Sequence, residues 1–374
     1  MNKIKVISVF GTRPEAIKMA PLVKEFIENS EYFDSRILVT GQHREMLDQV
    51  LEIFKIVPDY DLNIMKRNQS IVDITTEVIK GIDEILKEFS PDVLLVHGDT
   101  TTSFAAALAA FYNRVKVGHV EAGLRSGNKY SPYPEEMNRS LTGRIADFHF
   151  APTKGNEENL INENIGKEHI FITGNTVIDA LLSVVDSKFE FEHPVLEKID
   201  FENQRILLLT AHRRENLGKS MEDIFKAIKR IVLEFDDVEV VYPVHLNPIV
   251  QKIANEVLGE VERIHLMEPL EYLPFANLIS KSHMVLTDSG GIQEEAPALG
   301  KPVLVLRKET ERPEAVEAGT VKIVGTNEKN VYEKIKILLT DEKEYQKMAN
   351  AVNPYGDGNT SKRIANIIKE SILV

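Results

Sequence analysis

Three carboxylates stand where the chain turns out of an apolar run or into a helix. They are Asp99 in His97-Gly98-Asp99-Thr100, Glu121 in His119-Val120-Glu121-Ala122-Gly123-Leu124-Arg125, and Glu135 in Pro134-Glu135-Glu136-Met137-Asn138-Arg139. Carboxylates gathered in a closed pocket equip a site for proton transfer. Plainer readings stand beside this one. Asp99 suits the N-cap of the helix that follows, and one of Glu135 and Glu136 suits the positive end of a helix dipole. His97 and His119 read as buried, hydrogen-bonded strand-end residues rather than catalysts.

A second kind of chemistry is anion binding. The strand-like Met284-Val285-Leu286-Thr287 leads into Asp288-Ser289-Gly290-Gly291 and then into a helix-like segment. Glycines there let backbone N–H groups approach a ligand, and the helix start directs its own N–H groups at the same spot. This is a site for a phosphate or diphosphate. Glu294 and Glu295, one turn further on, would repel phosphate but suit ribose hydroxyls. In Gly11-Thr12-Arg13-Pro14-Glu15, Pro14 and Glu15 are explained by a well-capped helix. Arg13 is not, and its fork fits a diphosphate. Lys18 follows about one turn later, near Glu15 or toward the ligand. His212 and His245 stand at two further strand exits, suited to phosphate or to metal, although no third ligand lies at a recognisable metal spacing. Arg312 in Thr310-Glu311-Arg312-Pro313-Glu314 brings another cation, or is part of a charged surface loop. No G-x-G-x-x-G is present, and Gly218-Lys219-Ser220 fails as a P-loop because Arg213 occupies the first glycine position.

The elements that must position these groups alternate. Continuous apolar runs at 5–10, 35–40, 93–97 and 116–120 read as strands buried on both faces, separated by helices near 16–28, 71–88 and 103–112. The plan repeats with strands at 205–210, 238–242, 284–287 and 303–306 and helices near 222–234, 248–258 and 331–339. Alternation of this kind implies α/β, doubly wound parallel sheets, which bind ligands beyond the carboxyl ends of their strands. A chain of 374 residues exceeds a comfortable single core. The expected division is 1–174 for the first domain, carrying the acids, and 175–358 for the second, carrying the nucleotide site. A breaker-rich crossing at 353–358 precedes an amphipathic helix at 361–373, within a terminal segment 359–374 expected to return to the first domain.

A net charge of −13 argues against nucleic acid as partner. The absence of cysteine removes disulfides, thiolate nucleophiles and thiolate metal ligands. No apolar run is long enough to span a bilayer, and the N-terminus runs directly into a strand without the apolar core of a signal peptide. The expectation is a cytoplasmic protein.

Taken in order, Gly11-Thr12-Arg13-Pro14-Glu15, Gly41-Gln42-His43-Arg44-Glu45-Met46, His97-Gly98-Asp99-Thr100, His119 through Arg125, Asp288 through Pro302 and Thr310 through Glu314 resemble the non-hydrolysing UDP-N-acetylglucosamine 2-epimerases. The resemblance runs from Val6 to about Gly358. It implies a GT-B-like arrangement, two Rossmann-like domains facing across a cleft that closes over substrate. It implies interconversion of UDP-N-acetylglucosamine and UDP-N-acetylmannosamine without NAD, another cofactor or a metal. UDP leaves from C1 as the C2 proton is removed, giving 2-acetamidoglucal, and then re-adds. Acid/base candidates are Asp99, Glu121 and Glu135, with His212 beside them, and which carboxylate removes and which returns the proton stays open. Substrate contacts are expected from Arg13, Lys18, Arg139, His245, Phe275, Ser289, Gly290, Gly291, Glu295 and Arg312. Phe275 would pack near uracil or serve as a core aromatic. Gln42, His43, Arg67, Arg213 and His245 are candidates for a second site at which substrate activates the enzyme. A homodimer and a role in N-acetylmannosamine-containing surface polysaccharide are also implied.

Overall fold

The computed structural model describes residues 3–41, 44–66 and 69–373. The chain divides into two compact units. The first comprises residues 1–183 with 355–374, and the second comprises 184–354.

The first unit holds strands β1 (Ile4–Phe10), β2 (Phe33–Val39), β3 (Tyr60–Asp61), β4 (Val93–His97), β5 (Lys116–Val120), β6 (Phe148–Ala151) and β7 (Ile170–Ile172). They form a parallel seven-stranded sheet in the order β3-β2-β1-β4-β5-β6-β7. Its helices are α1 (Arg13–Glu28), α2 (Arg44–Phe54), α3 (Ile71–Phe89), α4 (Thr101–Tyr112), α5 (Glu135–Ile145), α6 (Lys154–Asn162) and α7 (Thr176–Val184). Every residue of β4 is buried, as a central parallel strand requires. The alanine-rich α4 packs its small side chains against α3 and the sheet, closing a core that includes Ile7, Val9, Leu94 and Val96.

The second unit holds β8 (Arg205–Thr210), β9 (Val238–Pro243), β10 (Ile264–Met267), β11 (Met284–Thr287), β12 (Val303–Val305) and β13 (Val321–Ile323), parallel in the order β10-β9-β8-β11-β12-β13. Its helices are α8 (Lys219–Glu234), α9 (Pro248–Leu258), α10 (Tyr272–Lys281), α11 (Ile292–Ala298), α12 (Pro313–Ala318), α13 (Glu328–Thr340) and α14 (Glu342–Ala349). One face of the sheet is covered by α8, α9 and α13 around Leu207, Leu209, Phe225 and Tyr242. Each such apolar side chain stabilises the fold by about 1.5–3 kcal/mol on burial. The last helix, α15 (Thr360–Leu373), belongs to the first unit and lies against α1.

Both sheets reverse strand order beside their first strand, between β1 and β4 and between β8 and β11. The carboxyl ends of strands at such a switch point are where this fold class binds ligands. The boundary between the units falls later than residue 174, because α7 starts within the first unit and runs to its edge. Four helices also begin earlier than apolar periodicity alone marks. α1 starts at Arg13, α4 at Thr101, α8 at Lys219 and α13 at Glu328. Their first turns are largely polar, and for α1, α4 and α13 the start is set by N-caps Thr12, Thr100 and Asn327 rather than by burial.

Candidate active site

In the first unit the site is built from the exits of β1, β4 and β5. Glu15 does more than complement the dipole of α1. It is buried, and its Oε2 accepts from Gly11 N at 3.0 Å, Thr12 N at 2.8 Å and Thr12 Oγ1 at 2.9 Å. Its Oε1 accepts from Thr100 Oγ1 at 2.5 Å and Ser103 Oγ at 3.0 Å. One carboxylate thus clips the turn after β1 to the turn after β4. That clip fixes the start of α1, which carries Arg13 and Lys18, relative to Asp99.

Lys18 points toward Glu121 rather than Glu15. Its Nζ donates to Glu121 Oε1 at 2.6 Å and Oε2 at 2.8 Å. Asn175 Nδ2 donates to Oε1 at 2.9 Å, and His97 Nε2 stands 3.1 Å from Oε2. Glu121 adopts φ +60°, a left-handed conformation that costs about 1–3 kcal/mol in a non-glycine residue. These partners over-determine it. Burial pushes the Glu121 carboxyl up, but the Lys18 ammonium and His97 outweigh burial and hold it well below the usual carboxylate range. His119 is fully buried with Nε2 2.7 Å from Gly98 O, and burial lowers its pKa to about 3, so it is a neutral prop for the β4 exit.

Asp99 is not the cap of α4. Thr100 is, accepting from Ser103 N at 3.1 Å. The Asp99 carboxylate is bonded instead by Arg139 Nη2, and its main-chain oxygen accepts from Asn138 Nδ2 at 3.0 Å. Arg139 is expected to contact the substrate; its guanidinium is buried between Asp99 and Glu136, with Nη1 3.4 Å from Glu136 Oε2. Glu136 also accepts from Ser126 N and Gly127 N at 3.0–3.1 Å. Of the two acids opening α5, Glu136 is therefore structural. Glu135 has Oε2 buried without a hydrogen-bond partner.

In the second unit Asp288 organises the exits of β8 and β11. It is fully buried, and its Oδ2 accepts from His212 N at 2.9 Å, Arg213 N at 2.8 Å and Asn216 Nδ2 at 3.1 Å. The His212 ring is half-buried and stacked on the His245 ring, with centroids 4.9 Å apart and planes 8° from parallel. Burial lowers the His212 pKa, opposed by Asp288 and reinforced by His245 and Arg213. Arg213 Nε reaches Asp288 O at 3.2 Å and its Nη2 lies 3.7 Å from Glu311 Oε2.

Ser289 N donates to Thr287 Oγ1 at 2.9 Å, and the buried Gln293 Nε2 holds Ser289 O at 2.9 Å. Gly290 and Gly291 are not in the left-handed region, and Gly291 has φ −63°. A Cβ on Gly291 would meet nothing within 4 Å, and one on Gly290 would approach Arg312 and Glu311 no closer than 3.8 Å. Neither the backbone nor the packing demands glycine there, so the space they leave fits an incoming group. Arg312 Nε pairs with the buried Glu294, while Glu295 is half-buried in the same first turn of α11. Phe275 is half-buried on α10.

The structure therefore pairs Lys18 with Glu121 and, separately, Arg139 with Asp99, with Glu135 one helical turn before Arg139 on α5. It gathers His212, His245, Arg213 and Asp288 into another network, beside Ser289, Gly290, Gly291 and Arg312. Arg13 opens α1 and is half-buried. Gln42, His43 and Arg67 lie outside the described residues. Among the described residues no group of three or more His, Cys, Asp or Glu has the arrangement of a metal site, and no helix is long and apolar enough to cross a membrane. Sequence reasoning missed the roles of Glu15, Glu136, Asn175 and Asp288. For Asp288 a signal existed: an acid directly after a buried strand must take its donors from the turns beside it.

Comparison with known proteins joins these networks to a family. The family model for UDP-N-acetylglucosamine 2-epimerase matches residues 25–369. A Bacillus subtilis UDP-N-acetylglucosamine 2-epimerase is 60% identical over 364 residues, spanning 97% of this chain and 94% of the relative. The crystal structure of a candidate UDP-N-acetylglucosamine 2-epimerase from Listeria monocytogenes matches with TM-score 0.95 at 54% identity, over 100% of this chain and 97% of that one. The Neisseria meningitidis UDP-GlcNAc 2-epimerase bound to UDP-GlcNAc matches with TM-score 0.85 at 51% identity, over 98% of this chain and 100% of that one.

Proposed function

From the premise that the chain belongs to the UDP-N-acetylglucosamine 2-epimerase family and is an enzyme of that activity, we propose that it inverts C2 reversibly by elimination and re-addition of UDP. A carboxylate takes the C2 proton. The C–H electron pair becomes the C1=C2 bond of 2-acetamidoglucal, and the C1–O bond breaks with its pair going to UDP. In the return step a proton reaches C2 from the opposite face as UDP adds to C1. Inversion needs proton-transfer groups on both faces, and Asp99, Glu121 and Glu135 are the candidates.

The observation that carries this reading is Glu121. It is a largely buried carboxylate held ionised by Lys18 and His97 and bonded by Asn175, at the exit of the strand next to the one that exits at Asp99. In the second unit, Ser289, Gly290 and Gly291 hold the diphosphate and Glu295 the ribose, with His212, His245 and Arg312 beside them. Phe275 packs near the uracil, and Arg13 of the first unit answers the charge that grows on departing UDP. The Neisseria relative's complex with UDP-GlcNAc supports the ligand class.

The deciding experiment is incubation with UDP-N-acetylglucosamine in D2O, followed by proton and phosphorus NMR. Solvent deuterium at C2 of both UDP-sugars, with total UDP-sugar conserved, is the expected result. Product without deuterium sinks the elimination route, and steady release of UDP identifies a hydrolysing reaction instead. The proposal extends to a cytoplasmic homodimer that supplies N-acetylmannosamine units to surface polysaccharide. It also extends to activation by UDP-N-acetylglucosamine through Arg213 and His245. Trace UDP-N-acetylglucosamine should then raise the initial rate on UDP-N-acetylmannosamine, and no stimulation removes the activation.

A further inference from the structure

Glu121 has one partner that no motif singles out. Asn175 lies in the short turn between β7 and α7, 54 positions away in sequence, and is 2% exposed. Its amide orientation is fixed by its own surroundings. Oδ1 accepts from Val177 N at 3.1 Å, so Nδ2 is the group facing Glu121 Oε1 at 2.9 Å. The main chain is tied down separately, with Asn175 N donating to Tyr355 O at 2.7 Å.

That tie falls at a particular place. α7 runs to the end of the first unit's leading segment at Ser183, and Tyr355 is the first residue of the segment that returns to the same unit. The two segments meet tightly around Asn175. A Cβ on Gly174 would come within 2.7 Å of Thr360 Oγ1 and 3.2 Å of Tyr355 O, and Gly174 itself has φ +93°. The Asp179 carboxylate on α7 then accepts from Thr360 N at 3.2 Å and Ser361 N at 2.7 Å, pinning the start of α15.

We propose that Asn175 is a positioning residue for the epimerase reaction, holding Glu121 Oε1 in its working orientation from the junction where the chain leaves and re-enters the first unit. The inference rests on the reading of Glu121 as an acid/base group. Lys18 from α1 and His97 from β4 are the charged or titratable groups that share Glu121 with Asn175. Asn175 contributes a neutral donor, so it fixes direction without adding charge. Deleting it leaves the ion pair with Lys18 in place and frees the carboxylate to swing about it.

The test uses the full chain with Asn175→Ala, Asn175→Ser and Asn175→Asp beside Glu121→Gln. Initial rates, pH profiles, C2 deuterium exchange and thermal midpoints are measured for each. Asn175→Ala is expected to lower kcat by about 10- to 100-fold with KM within about twofold, since a misplaced reacting group costs rate rather than affinity. The acidic limb of kcat should move to higher pH, because the ionised carboxylate has lost a donor. Asn175→Ser, which keeps a shorter donor, should recover part of kcat. Asn175→Asp, which adds a like charge, should move the limb furthest. Should Asn175→Ala fail to fold, the Ser and Asp pair carries the same comparison. A kcat and acidic limb unchanged in every folded variant, with only the thermal midpoint lowered, would overturn the proposal and leave Asn175 a structural residue. If Glu121→Gln retains wild-type kcat, the reading of Glu121 fails first, and this inference falls with it.

Discussion

The Lys18 ammonium bonds both oxygens of Glu121, at 2.6 and 2.8 Å, across 103 residues of sequence. Their side chains are 21% and 13% exposed. Removing one charge from so sheltered a pair takes from the other its nearest opposite charge.

Lys18→Met is therefore expected to cost about 3–5 kcal/mol at neutral pH, read by urea unfolding. The folded pKa of Glu121 is depressed, so its contribution is present above the unfolded value of about 4.3 and is lost as pH falls through the lower folded value. Without Lys18, burial dominates and the acidic limb of kcat moves up. The double variant Lys18→Met/Glu121→Met should recover most of the stability and none of the activity. A single variant as stable as wild type would contradict the pairing.

Gly290 and Gly291 offer a separation of binding from folding. Neither has a left-handed backbone, and a Cβ at either position meets no close neighbour. Gly290→Ala and Gly291→Ala should leave stability unchanged or raised by about 0.4–1 kcal/mol. KM for the UDP-sugar should rise roughly tenfold, about 1.4 kcal/mol. Unchanged KM in both would move the diphosphate elsewhere.

Arg139 serves two carboxylates at once, Asp99 and Glu136. Lysine keeps the charge but loses the fork. The order of kcat should be wild type, then Arg139→Lys, then Arg139→Met, with the last lower by roughly 100-fold as Asp99 loses its orientation. Equal kcat in Arg139→Met and wild type would show that Asp99 needs no such support.

His119 gives the stability curve an acid slope. Its folded pKa of about 3 lies below the unfolded value of about 6.5, so the unfolded chain binds the extra proton between them. Its contribution is complete above pH 6.5 and declines as pH falls, by about 1.4 kcal/mol per pH unit, until pH 3. His119→Asn should flatten the urea-unfolding stability plot over that window. An unchanged slope would mean that another group titrates there.

Much of the architecture was legible because it is local. The runs at 93–97, 116–120, 205–210 and 284–287 coincide with β4, β5, β8 and β11, since a strand buried on both faces writes itself as continuous apolar sequence. Short or weakly apolar elements such as β3, β7 and α12 carry too little pattern to stand out. The carboxylates Asp99, Glu121 and Glu135 were singled out by type and place. The buried Glu15 was read as part of a well-capped helix and Asp288 was given no role of its own, because their five and three donors come mostly from backbone and hydroxyl groups that no motif reveals.

The sequence alone determined the alternating strands and helices, the acids at the strand exits, the glycines after β11 and, through the order of its motifs, the family. Each of these is a property of neighbouring residues. Tertiary structure decided who pairs with whom. Setting β1, β4 and β5 side by side gave Lys18 to Glu121, and packing α5 near the exit of β4 gave Arg139 to Asp99. Such choices follow from distances across a folded sheet, where the nearest opposite charge and the degree of burial set the partner. Separation along the chain carries no information about either.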